Sequence, residues 1–430
     1  MAGKNVVQKI LARAAGKEEV ATGDYLVVRS SRPVTLVGDY LEKGAIQVME
    51  CGVKKVFNPN LIKIVLGHAG AGGDKAIGES RRKIRLWAEA VGVPRENILD
   101  LGQQGVEHII AGEQCWALPG ELYFSVADGH STALGALGGL AVPLSYESGA
   151  YLIRGFSWMQ VPEVARFTLT GTTKEGVFIR DVQEYILGQI GATGTPGQVI
   201  LWDGSYVAGL SMDGRFTLCA NALFSSAWTA IIEADQVTVD YVRACSKEAY
   251  TPLYGDSDAE YAQQRFFNVS AVEPQIVPPP ERTHVFPVSV YEGTKITKGH
   301  IGACTNGRME DMRVAARILK GRRVHPDVML NITPGSVSIY RQCLKEGILE
   351  IFVDAGVFLP APCCGQCSSG SNTPLGDNDV CISSGTCNYP GRMGSEKAEI
   401  YLGSPATIAA STVAGCITDP RNFLLGKATG

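Results

Sequence analysis

Three cysteines are the residues of this chain whose type and spacing could do chemistry. Cys364 and Cys367 stand C-x-x-C in APCCGQC, residues 361–367, and Gly365 between them permits a tight turn. Two sulfurs on such a turn can bind neighbouring metal atoms. Cys304, in IGACTNGR, residues 301–308, sits at a strand end ahead of Asn306 and a helix. There, free backbone N–H groups can stabilise thiolate charge. A zinc site would prefer four ligands from paired motifs, but the chain has a single C-x-x-C, and the nearest histidine, His300, belongs to no paired motif. Three cysteines from two loops fit an iron–sulfur cluster with one iron left open, a Lewis acid for a hydroxyl or carboxylate. The alternative is that all three are buried thiols of the core.

The elements that must position these residues read as layered α/β. Apolar runs at Tyr25–Val28, Val34–Val37, Leu61–Leu66 and Val164–Gly171 predict strands, with helical segments at Tyr40–Cys51, Lys83–Val91 and Asp181–Ile190 between them. Residues 125–142 predict a short strand, a small-residue turn and an Ala/Gly-rich helix. The stretch VEPQIVPPPERTH, residues 272–284, carries a triple proline and reads as a linker. Beyond it, strands are expected at Val288–Tyr291, Val328–Ile332 and Ile348–Asp354, and helices at Met309–Leu319 and Ser338–Glu346. The expected domains are 1–165, 166–280 and 281–430, the last carrying the cluster cysteines.

The chain has 430 residues, 45% of them hydrophobic and 19% charged, with a formal net charge of −4. That balance excludes the basic excess of a nucleic-acid binder. No apolar run approaches the ~18 residues of a membrane span. The N-terminus reads as an amphipathic helix and not as a signal peptide. With 12 cysteines and no such peptide, a reduced cytoplasmic compartment is expected, and Cys51, Cys115, Cys219, Cys245, Cys343 and Cys416 read as core thiols.

Longer stretches then carry a family. IGACTNGR, the run ending in PAPCCGQC, and CISSGTCNYPGRMGS resemble the isopropylmalate dehydratase and aconitase family. So do GVKKVFNPNLIKIVLGH, LPGELYFSVADGHSTALGALG, IRDVQEYILGQIG and LSMDGRFTLC, in order along nearly the whole chain. The resemblance implies a three-domain α/β/α body around a 4Fe–4S cluster held by Cys304, Cys364 and Cys367. It also implies a hydro-lyase that dehydrates and rehydrates hydroxy acids. The chain resembles the large-subunit form, which works as a heteromer with a small swivel-domain subunit supplying the catalytic serine and one substrate arginine. His68, His108, Asp128 and His130 match the family's catalytic positions, and Asn306, Asn388 and Arg392 match substrate-binding ones.

Several matches fail. Gly67 stands where the family pairs an aspartate with His68, and Phe224 where a carboxylate would support His108. Gly129 replaces a serine between Asp128 and His130. Thr386 and Cys387 replace an Asn-Arg pair. A histidine without its carboxylate loses orientation and electrostatic support, and a lost arginine removes a bidentate carboxylate grip. The expectation is a less charged site and a substrate other than isopropylmalate. Cys387 is either a fourth cluster ligand or part of the pocket wall. Other chemistry on the same scaffold, such as sulfur transfer, and a non-catalytic cluster-binding role stay open as alternatives.

Overall fold

The computed structural model describes residues 3–40, 43–69, 75–126, 129–145, 147–368 and 372–424; of the expected site residues, Asp128 lies outside them. Three main sheets organise the chain. The first is a five-stranded parallel sheet in the order Ile98–Leu99, Ile62–Val65, Val34–Val37, Leu122–Val126, Leu140–Leu144. Its inner strands are almost continuously apolar and buried, as a parallel sheet covered on both faces requires. The second is a four-stranded parallel sheet ordered Thr229–Ile231, Val199–Asp203, Val164–Thr170, Gln263–Asn268.

The third sheet has six strands. Glu399–Gly403, Val380–Ser383, Lys298–Ile301 and Met329–Ile332 run parallel, and Phe286–Pro287 and Gln275–Val277 extend one edge antiparallel. The strand Gln275–Val277 corrects the linker expected over 272–284. It pairs on both sides, and the Gln275 N–H donates to the buried Asp181 carboxylate at 2.9 Å; the three prolines follow it.

Three other elements depart from expectation. Residues 348–354 were expected as a strand because ILEIFV is apolar and β-branched. They form the helix Ile348–Ala355, bracketed by Gly347 and Gly356, both left-handed (φ 70° and 85°). Its buried residues, Ile348, Leu349, Phe352 and Ala355, fall on one helical face. Val288–Val290 is a 3₁₀ turn and not a strand. The Ala/Gly-rich stretch forms a nine-residue 3₁₀ helix, Gly129–Leu137, and the chain then re-enters the first sheet at Leu140. Gly135 is needed there, since a Cβ would lie 1.9 Å from the Ala230 carbonyl oxygen of the second sheet.

The cores join across the sheets. The first core takes in Val164, Val199, Leu201 and Ile231 of the second sheet. The third takes in Val106 and Ile109, which flank His108, together with Cys304, Cys364 and Cys367. Burial of those two side chains therefore seats the helix Glu107–Glu113 against the cysteine loops. No described helix is long and apolar enough to cross a membrane.

Candidate functional site

The site lies where the carboxyl ends of parallel strands converge, the usual ligand edge of such sheets. His68 follows Ile62–Val65, His130 follows Leu122–Val126, Cys304 follows Lys298–Ile301, and Ser384 follows Val380–Ser383. Buried hydrogen bonds tie these ends together. Asp39, fully buried and paired with Arg81, accepts from the Ala69 N–H at 2.9 Å and so fixes the His68 turn. The His68 carbonyl accepts from the Cys364 N–H at 2.9 Å, joining the first unit to the cysteine loop.

Cys304, Cys364 and Cys367 are all buried and belong to the core of the third sheet. Gly365 is left-handed (φ 65°), as the C-x-x-C turn demands, and a Cβ there would meet His300 Nε2 at 2.3 Å. Cys364 keeps its proton, and its hydrogen bond drives the Cys367 thiol well below the ordinary range, with the Arg392 guanidinium adding to the effect. Arg392 Nη2 lies 3.2 Å from Cys367 Sγ. Three buried soft thiols beside a fixed cation form a donor set that fits an iron–sulfur cluster.

The histidines form a row beside Cys304. Ring centroids are 5.9 Å apart for His68–His108 and 6.2 Å for His108–His130. Donor atoms of His108, His130 and Cys304 lie within 4.8 Å of one another, close enough to share one metal ion. The absence of a carboxylate partner expected at His108 is corrected here. Its Nδ1 contacts the carboxylate of its own neighbour, Glu107, which is 1% exposed. The other Glu107 oxygen accepts from Thr35 and, at 3.2 Å, from Tyr123. A carboxylate so held orients the imidazole, as in other histidine–carboxylate pairs. Phe224 meets His130, not His108, at a centroid distance of 6.0 Å. The Arg282 guanidinium also lies over the Phe224 ring, 4.6 Å from its centroid.

Gly67 has a physical cause. Its φ is +98°, and a Cβ would fall 2.2 Å from Gln104 Cβ. Restoring an aspartate as Gly67→Asp is therefore expected to cost about 1–3 kcal/mol in chemical denaturation. A variant as stable as the parent would contradict this account.

Asn306, expected to bind substrate, has both ends of its amide engaged. Its Oδ1 accepts from Arg180 at 3.0 Å and its Nδ2 donates to Asp311 at 2.9 Å, contacts that also hold the Cys304 loop. Asn388 donates to the Pro278 carbonyl at 2.9 Å, and its buried Oδ1 meets no partner among the described residues. The buried Nε of Arg392 likewise meets none. Cys387 is half-exposed and accepts from Thr386 Oγ1 at 3.6 Å. Of the thiols expected in the core, Cys51 and Cys245 are exposed.

Sequence reasoning missed two groups. The first is Arg180 with Glu184, fully buried at i,i+4 on the helix Ile179–Ile190. Arg180 Nη1 reaches Thr305, Asn306 and the Ser384 carbonyl, and its Nη2 reaches the Gly385 carbonyl at 2.8 Å. The i,i+4 spacing was visible, but its burial was not. The second is His300, whose Nε2 accepts from the Gln366 N–H at 3.1 Å while Nδ1 meets Ser383 Oγ at 2.9 Å. It braces the turn between the two paired cysteines.

Comparison with known proteins adds four findings. The model of the aconitase family (aconitate hydratase) matches residues 75–415. The 3-isopropylmalate dehydratase large subunit 1 of Methanopyrus kandleri is 36% identical over 424 residues, covering 98% of this chain and 100% of that one. The large subunit 1 from Pyrococcus furiosus is 37% identical over 428 residues, covering 99% and 100%. The holo-form of aconitase X from Thermococcus kodakaraensis shares the fold, with a TM-score of 0.50 and 12% identity over 84% of each chain.

Proposed function

Because the chain belongs to the aconitase family, we propose that it is the large subunit of a cytoplasmic hydro-lyase acting on a hydroxy-carboxylic acid, with a 4Fe–4S cluster on Cys304, Cys364 and Cys367. The observation that carries this reading is the burial of those three thiols in one core, close enough for each to act on Cys364, with His108 and His130 against Cys304. When bound, the cluster supplies an open iron as a Lewis acid toward a substrate hydroxyl or carboxylate.

The chain's own residues do the rest. His108, oriented by Glu107, and His130 hold or deliver a proton at the leaving hydroxyl, and His68 extends their row. Arg392 is anchored on Cys367 through Nη2, which leaves its Nε–H to donate to a substrate carboxylate and the Asn388 Oδ1 to accept from a substrate hydroxyl. Asp128 belongs to the same proposed set through its place in the motif. The proton base is assigned to a small swivel-domain subunit, in keeping with the "large subunit" names of the relatives. Phe224, Thr386 and Cys387 replace charged or amide groups, which favours a substrate with fewer carboxylates than the family's usual ones. The test is anaerobic purification with a small-subunit partner, followed by a scan of hydroxy acids for enoate absorbance. Turnover of an acid other than isopropylmalate is the expected result; an iron-loaded complex inert to every hydroxy acid overturns the assignment.

Cys387 is assigned to the pocket wall, since its thiol is half-exposed and already accepts from Thr386. Cys387→Ser is expected to keep the parent's iron and acid-labile sulfide content. A drop in either would make Cys387 a ligand.

A further inference from the structure

Away from the cysteine loops, two thiols on different units meet. Cys115 ends the helix Glu107–Glu113. Its N–H donates to the Gly112 carbonyl at 3.2 Å and the next N–H, of Trp116, donates to Ala111 at 2.9 Å, the paired bonds of a Schellman motif. The left-handed position in that motif normally belongs to glycine, yet a cysteine occupies it with φ +48°. A strained backbone at a non-glycine residue is reason to look for what its side chain does.

The Cys115 thiol, 1% exposed, neighbours the thiol of Cys245, the exposed last residue of the helix Gln236–Cys245. One turn back, the Tyr241 hydroxyl lies 3.3 Å from the Gly112 carbonyl and within hydrogen-bonding reach of Cys245. The two helix ends are thus pinned together around the thiol pair. These contacts lower the Cys245 thiol from its ordinary value, the neighbouring Cys115 thiol contributing most.

We propose that Cys115 and Cys245 form an oxidative modification site, in which exposed Cys245 meets a hydroperoxide and buried Cys115 resolves it as an intramolecular disulfide. The Cys245 thiolate attacks the peroxide oxygen and becomes a sulfenic acid, releasing water after proton uptake. The Cys115 sulfur then displaces the hydroxyl from the Cys245 sulfur and a second water leaves. In sum, two thiols lose two electrons and two protons, and one hydrogen peroxide becomes two waters. The bond staples the C-terminus of the helix carrying Glu107 and His108 to the end of a helix from the second unit. The inference is independent of the reaction assigned to the site.

The test treats the full-length protein with one equivalent of hydrogen peroxide, blocks remaining thiols with iodoacetamide, and maps peptides without reduction. The expected product is a Cys115–Cys245 linked peptide that dithiothreitol removes. In Cys115→Ser the link is absent and Cys245 persists as a sulfenic acid that dimedone labels. In Cys245→Ser, a change at an exposed position, Cys115 stays reduced. An alkylated Cys115 beside an oxidised Cys245, a link from Cys245 to any other thiol, or oxidation of Cys115 in Cys245→Ser would each overturn the proposal.

Discussion

Glu184→Gln is expected to lower unfolding stability by about 3–5 kcal/mol, the usual cost of removing one partner from a buried ion group. Glu184 is 1% exposed and sits between two guanidiniums. Arg180 reaches one of its oxygens at 2.5 Å, and Arg282 is bidentate on the carboxylate, 2.8 Å at Nη2. Burial works to raise the Glu184 carboxyl, but Arg282 and Arg180 together hold it below its ordinary range. Burial also lowers Arg180 from its usual value, which shows how dependent that charge is on its partner. A neutral glutamine leaves two buried cations side by side. The damage should reach the site, since Arg180 holds Thr305, Asn306 and the Ser384 and Gly385 carbonyls around Cys304. Urea titration would show it as a shifted midpoint, and iron content should fall in parallel. A change under about 1 kcal/mol would mean that the three charges are well solvated or easily rearranged.

The same group marks the limit of what the sequence made legible. The pairing of Cys364 with Cys367 could be read because their spacing is local. The first and second sheets could be read because buried parallel strands are apolar throughout. The ion group could not, since its members, Arg180, Glu184 and Arg282, meet only through tertiary contact. The carboxylate beside His108 was missed for a related reason. Residues i and i+1 of a helix point in different directions, so Glu107 did not suggest itself as a partner for His108, yet the two make contact at the helix start. The segment 348–355 carried the correct helical burial pattern, but its β-branched composition favoured a strand, and the two flanking glycines decide between them.

His300→Leu should show a second large effect, with a pH dependence that separates it from mere loss of packing. The ring is fully buried, with Nε2 as acceptor for Gln366 N–H and Nδ1–H left to donate to Ser383 Oγ. Leucine fills comparable space but satisfies neither group, so about 3 kcal/mol should be lost at pH 7. Burial pushes the His300 pKa down to about 4 from 6.5, against a smaller opposing pull from Cys367. Between those values the unfolded chain takes up a proton that the folded chain refuses. The neutral ring's contribution is therefore present in full above pH 6.5 and is lost as pH falls toward 4, about 3 kcal/mol in all. The leucine variant has no such loss. The stability gap between parent and variant should thus be widest at pH 7 and nearly closed at pH 4.5, and acidic groups common to both proteins cancel in that difference. A gap of equal size at both pH values would mean that His300 is not held neutral, and that the brace on the cysteine turn is packing alone.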